Sequence, residues 1–224
     1  MPIDRKAKVI FVHIPKTAGT SIELSLSLGG DWKEENGSTF FGQITTLPLL
    51  QKNLSSNFMQ HLRLREIQNL LGDEFFDYDV FTVVRHPWTR LLSSFRRKDP
   101  DLCAYVRWRS RQDLEEASLS DYLKAASWVR HPHLNSQASF LKPYDPAMSI
   151  KDALKRIRVF KFEQLCLLED WLSLKYQKPI QLSRHQVAIS PSPALSDDEL
   201  MRLQRQCFEL YERDYRLFGY TMNG

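Results

Sequence analysis

Two short apolar runs, residues 8–14 (KVIFVHI) and 80–84 (VFTVV), most constrain what this chain can fold into. Both are rich in β-branched residues and neither alternates with polar ones. Each therefore predicts a strand buried on both faces, as in a parallel sheet covered by helices. Each run is followed by a proline, Pro15 or Pro87, and then by a segment that can form a helix. A third run, residues 158–162 (RVFKF), predicts another strand. Strands alternating with helices predict an α/β fold: a single domain with a central, mainly parallel sheet flanked by helices.

The helical segments are marked by spacing and stop signals. Residues from Ser21 (SIELSLSL) form a helix that ends at Gly29 and Gly30. In 61–71, Leu64, Ile67, Leu70 and Leu71 share one face. A helix opening with Pro87 places Trp88, Leu91, Leu92 and Phe95 on one side and Arg90, Ser93, Ser94 and Arg97 on the other. Residues 114–126 predict a further helix, and Ser196 to Glu199 is a capping box opening a terminal helix to about Arg213. Residues 30–57, rich in Gly, Ser, Asn and Thr, read as an irregular region suited to shaping a cleft.

Composition excludes several classes. At 224 residues the chain suits one domain, and 42% hydrophobic with 26% charged residues is ordinary for a globular protein. No apolar run approaches the ~18 residues of a membrane span. Cys103, Cys166 and Cys207 are odd in number and widely spaced, which argues for buried or idle thiols in a reducing cytoplasm. The close histidine pair at 131–133 has no ligand companion at metal spacing, so no metal site is expected. The net charge of +4 permits an anionic ligand but is too mild for a nucleic-acid-binding arm. The basic cluster RWRSR at 107–111 reads as a solvated face or an acceptor-binding edge.

Two constellations carry chemistry. The first is strand–PKTAGTS–helix. Gly19 lets backbone approach a ligand closely, N–H groups at a helix start are free to donate, and Lys16 adds a point charge. Thr17, Thr20 and Ser21 supply hydroxyls. In a Walker A loop the Lys follows the last Gly, whereas Lys16 precedes Gly19 by three residues. The second is VVRHPWTRLLSSF. Arg85 stands at the end of a strand, where ligands of open α/β sheets bind, and Ser93 lies eight residues further on the following helix. A magnesium-dependent nucleotide enzyme would carry an acid at that strand end, and Arg85 replaces it with a cation. Two anion sites without a metal acid describe a nucleoside 3′,5′-bisphosphate ligand.

PKTAGTS after one strand and R-x-P-x-x-R-x-x-S after a later one, about 70 residues apart, resemble the paired signatures of sulfotransferases that use 3′-phosphoadenosine 5′-phosphosulfate (PAPS). The form is most similar to the carbohydrate-type (heparan and chondroitin sulfotransferase-like) branch, with a P-loop-NTPase-like fold. The resemblance implies that Lys16, Thr17, Ala18, Gly19, Thr20 and Ser21 hold the 5′-phosphosulfate, and that Arg85 and Ser93 bind the 3′-phosphate. It also implies that Lys16 neutralises charge on the leaving group, that PAPS is the co-substrate and that no metal takes part. His61, shortly before the second motif, is the candidate base for the acceptor hydroxyl, with Glu66 as runner-up on a solvated helix face.

Weaker echoes are His133 and Gln137 as pocket residues, and a lid around Arg184, His185, Gln186, Val187 and Ser190. Arg90 is either a ligand residue or a structural one. His86 occupies a variable family position, and Tyr211, Asp214, Phe218 and Tyr220 read as architecture. The acceptor is a hydroxylated molecule, carbohydrate or small molecule, and the expected setting is a soluble, cytoplasmic catalytic domain. The alternatives are a P-loop kinase-like nucleotide enzyme and an inactive nucleotide- or glycan-binding module.

Overall fold

In the computed structural model, which describes residues 2–52, 54–183 and 195–222, the apolar runs form neighbouring parallel strands. Along the chain, β1 (Ile3–Asp4) and β2 (Val9–Val12) lead to α1 (Gly19–Ser25), α2 (Leu47–Leu50), α3 (Leu64–Leu71) and β3 (Asp79–Val84). Then come α4 (Pro87–Arg97), α5 (Pro100–Ser110), α6 (Leu119–Trp128), α7 (Ile150–Leu154) and β4 (Ile157–Lys161). The order closes with α8 (Leu165–Tyr176), α9 (Asp197–Leu210) and α10 (Glu212–Phe218). The chain divides into two compact units, Met1–Val84 with Gln137–His185, and Arg85–Ser136 with Gln186–Gly224.

The first unit holds the sheet, in the order β1-β2-β3-β4. Parallel pairing runs from Val9 opposite Asp79 to Val12 opposite Thr82, and from Val80 opposite Ile157 to Val84 opposite Lys161. β1 adds an antiparallel edge through Ile3 opposite Ile10; a two-residue strand carries no periodicity and is not foreseeable from pattern. One sheet face buries Val9, Phe11, Phe81 and Val83 against Ile22 of α1, Leu26 just beyond it, and Leu168 and Leu172 of α8. The other face, with Ile10, Val12, Val80 and Val84, is buried as well. Burial on both sides is why these strands read as continuous apolar runs. At roughly 1.5–3 kcal/mol per buried aliphatic side chain, this sandwich is the main anchor of the strand ends that carry the loops.

The second unit is helical. Trp88 and Leu91 of α4 pack with Leu102 and Val106 of α5, Tyr122 and Leu123 of α6, and Leu203 and Cys207 of α9. Burial on α4 departs from the expected division. Arg90 and Ser94, one turn apart, lie on the buried face beside Trp88 and Leu91, while Ser93 is half-buried and Arg97 exposed. Both buried polar groups have internal partners, which is what permits their burial.

Several boundaries also move. The helix expected over 61–71 begins at Leu64, so His61 falls on a preceding 3₁₀ turn, Met59–His61. α6 starts at Leu119 behind a Ser118 cap that accepts from Asp121 N–H. The terminal helix breaks at Tyr211, whose hydroxyl donates to Leu134 O at 2.8 Å. Residues 30–46 form an irregular, internally bonded loop with an Asn36–Phe41 bridge, followed by the short α2. Cys103 and Cys207 are buried and Cys166 is exposed, and all three are free thiols. Among the described residues, no helix is long and apolar enough to cross a membrane.

Candidate functional site

In the first unit, β2 ends at Val12 and the chain turns through Pro15 into α1. The turn is tight because Lys16 and Ala18 both take left-handed backbone, each at φ 72°. Side chains then alternate in exposure: Lys16, Ala18 and Thr20 are partly exposed, whereas Thr17, Gly19 and Ser21 are buried. Thr17 is wholly enclosed and its hydroxyl donates to Ile14 O at 2.7 Å, so that O–H braces the loop from within. The loop therefore lies at the C-terminal edge of the parallel strands, where α/β sheets present ligands.

Gly19 is required here by a neighbour. A Cβ on Gly19 would overlap the ring of His13, with Nε2 the nearest atom. His13 directly follows β2 and is only 6% exposed. Its Nδ1–H donates to Glu23 Oε1 of α1 at 2.6 Å, and Glu23 is itself 4% exposed. The ring stacks on Phe11, with centroids 5.4 Å apart, and meets His61 edge to face at 4.7 Å. The fold thus brings His61 to the loop from 45 residues downstream of Lys16.

The turn carrying His61 is itself secured. Met59 N–H donates to Gly42 O at 2.9 Å, and Gly42 N–H donates to Gln60 Oε1 at 3.0 Å. Gln43 bridges to Phe58. The irregular segment of 30–57 therefore forms a bracket behind His61. Glu66, read as a solvated runner-up base, is buried. It accepts from Arg63 N–H at 2.6 Å, Ser55 N–H at 2.6 Å and Ser55 O–H at 2.8 Å. A carboxylate holding three donors is a cap and tether, and its place at N3 of α3 suits that role.

In the second unit, Arg85 is half-buried and its Nε–H donates to Thr89 Oγ1 at 3.1 Å, which aims the guanidinium along the first turn of α4. Arg90 is 3% exposed and donates to the backbone oxygens of Asn135 at 3.0 Å, Pro132 at 3.3 Å and His133 at 3.4 Å. It clamps the turn after α6, and burial lowers its pKa from the ordinary arginine value. Ser94 Oγ and Tyr122 OH share a buried hydrogen bond of 2.8 Å. His86 is also buried, donating from Nε2 to Thr221 O at 2.8 Å between the rings of Tyr215 and Tyr220.

His133 faces Asp99 at 3.7 Å in this unit, whereas Gln137 is buried at the start of a 3₁₀ turn in the first. The RWRSR cluster lies at the end of α5, where Arg107 pairs with Asp113 at 3.1 Å and Glu115 at 3.3 Å and Trp108 is exposed. Residues 184–190, with the expected lid, lie outside the described residues. Among those described, no group of three or more His, Cys, Asp or Glu side chains could hold a metal ion. A cavity of about 390 Å³ in the first unit lies at the opposite end of the strands, beside Val80 and Ile157, and is separate from the loop.

The pair His13 and Glu23 is absent from the sequence reading. Its only signals are a histidine directly before the loop and a carboxylate among the apolar residues of SIELSLSL. The sequence model described as the sulfotransferase family matches residues 1–165, a stretch that includes the Lys16 loop, His61, Arg85 and Ser93. No curated protein and no solved structure matches the chain.

Proposed function

The chain belongs to the sulfotransferase family, and on that premise we propose that it moves a sulfuryl group from PAPS to an acceptor hydroxyl by in-line displacement. The observation that carries this reading is that His61 and the loop bearing Lys16 lie in one unit and share the His13 ring as a common neighbour. A cation sits on a strained loop, and an imidazole is held against the ring that lies over Gly19 of that loop. These are the two groups such a transfer requires: positive charge for the departing phosphate and a base for the attacking hydroxyl.

PAPS supplies the activated sulfuryl group and leaves as 3′-phosphoadenosine 5′-phosphate (PAP). The loop from Lys16 to Ser21 suits its 5′ end, with the partly exposed Lys16, Ala18 and Thr20 on the accessible side. Thr17 and Ser21, both buried, keep that side in shape, and Thr17 contributes through its backbone rather than its engaged hydroxyl. Arg85 and Ser93, half-buried beside wholly buried neighbours, are the residues of the second motif suited to a 3′-phosphate. His61 accepts the acceptor proton, and Lys16 stabilises the charge developing on the PAP oxygen. The family resemblance favours a carbohydrate hydroxyl as acceptor.

Titration calorimetry with PAP, together with transfer from ³⁵S-labelled PAPS to a panel of hydroxylated acceptors, tests the reading. The expected result is saturable PAP binding and label in at least one acceptor. A folded protein that binds no PAP overturns it.

A further inference from the structure

We propose that the buried Glu23–His13 pair is the positioning device of the site, setting both the proton affinity of His61 and the path of the loop at Gly19. For the chemistry of His61 it rests on the sulfotransferase reading; for the coupling between the groups it rests on geometry alone.

A carboxylate and an imidazole 2.6 Å apart, each almost fully enclosed, form a charge-assisted hydrogen bond with little competition from water. The bond fixes the proton of His13 on Nδ1 and leaves Nε2 over Gly19. It also locks the ring plane, since Phe11 stacks on it at 11°. Two functional elements use that one ring as a wall. Gly19 can pass only because it lacks a side chain, and His61 leans edge-on at 4.7 Å. His13 is too enclosed to meet an acceptor, so it acts through its neighbours, as the partner that orients a catalytic imidazole does elsewhere.

The electrostatic sign follows whichever protonation His13 adopts. With Glu23 ionised, the pair carries a charge between −1 and 0, depending on the proton count of His13. With a glutamine there, the charge lies between 0 and +1. The surroundings of His61 become more positive in either case, which disfavours its imidazolium. Further ionisable groups of the same unit are Lys16 on the loop, and Arg63, Arg65 and Glu66, which follow His61 within five residues at the start of α3. The substitution leaves these unchanged, so a change at His61 reports the pair.

The test is Glu23→Gln, followed by NMR titration of the histidine rings, PAP calorimetry and the pH profile of transfer. The titration midpoint of His61 is expected to fall by about half a unit. The acid limb of the kcat profile should move with it, and kcat should drop about 10–100-fold, while PAP affinity changes far less because a glutamine oxygen still accepts from His13 Nδ1–H and keeps the ring over Gly19. Glu23→Asp, which keeps the charge, should restore most of the midpoint. A folded Glu23→Gln protein with an unchanged His61 midpoint overturns the proposal. If Glu23→Gln does not fold, the wild-type chain still decides: ¹⁵N shifts must show His13 protonated at Nδ1 at neutral pH, and a bare Nδ1 overturns it. Absence of PAP binding in the wild type would sink the sulfotransferase reading while leaving the NMR result to judge the pair.

Discussion

The two motifs share one grammar, strand, turn, helix, with a cation and hydroxyls in between, yet their residues divide differently. In the Lys16 loop the enclosed positions are small or hydroxylated, Thr17, Gly19 and Ser21, and the cation stays at the partly exposed surface. In the segment from Arg85 to Ser94 a cation is itself enclosed. Arg90 holds three backbone oxygens and Ser94 holds Tyr122, while Arg85 and Ser93 keep partial exposure. A motif matched letter by letter therefore mixes partly exposed residues, the ones proposed to meet a ligand, with residues engaged inside the protein. The extent of burial, rather than the identity of the letter, separates them.

Substitutions can break or sharpen that contrast. The largest effect belongs to Lys16→Ala, expected to lower kcat about 10²–10³-fold by removing charge at the leaving group. Single-turnover transfer from labelled PAPS measures it, and a full rate would refute the role of Lys16. Arg90→Met should act on the fold instead. It strands three backbone oxygens and is expected to destabilise the protein by about 3 kcal/mol in urea unfolding. PAP affinity of the protein that remains folded should hold. A collapse of affinity at unchanged stability would move Arg90 into the ligand site.

Gly19→Ala is expected to weaken PAP binding about 10–100-fold, since the new Cβ and the His13 ring need the same space. His13→Ala in the same chain should recover part of that loss, a non-additivity that calorimetry on the three variants would reveal. No recovery would mean that the loop is shaped by something other than that ring. The smallest effects distinguish two adjacent serines. Ser93→Ala should cost about tenfold in PAP affinity with stability within roughly 0.5 kcal/mol. Ser94→Ala should do the reverse, lowering stability by about 1–2 kcal/mol because Tyr122 OH loses its buried partner. Equal behaviour of the two would erase the proposed division within the second motif.

Much of the first unit is legible in the amino-acid sequence for a physical reason. Strands covered on both faces need contiguous apolar residues, so β2 and β3 announce themselves, and β4 nearly so. The loop is legible because a small residue must lie where backbone and ring meet. The helices α5, α7 and α8 are not, as each carries charges on several sides and lacks a clean apolar stripe. The Glu23–His13 pair and the clamp of Arg90 escape notice for a different reason. Polar residues reveal burial only through the partner that permits it, and that partner is chosen by tertiary structure.

Lys16 and Ala18, both at φ 72°, hold a backbone shape that disfavours any side chain by roughly 1–2 kcal/mol. Glycine would relieve that strain at either position, so improving heat resistance and preserving turnover pull against each other within these residues. A library of variants screened for thermal tolerance alone would be drawn toward Lys16→Gly, and its hardiest member would lack the charge proposed to act on the leaving group. Engineering this chain for robustness should leave those two positions untouched and seek its gains elsewhere, for instance at the helices of the second unit.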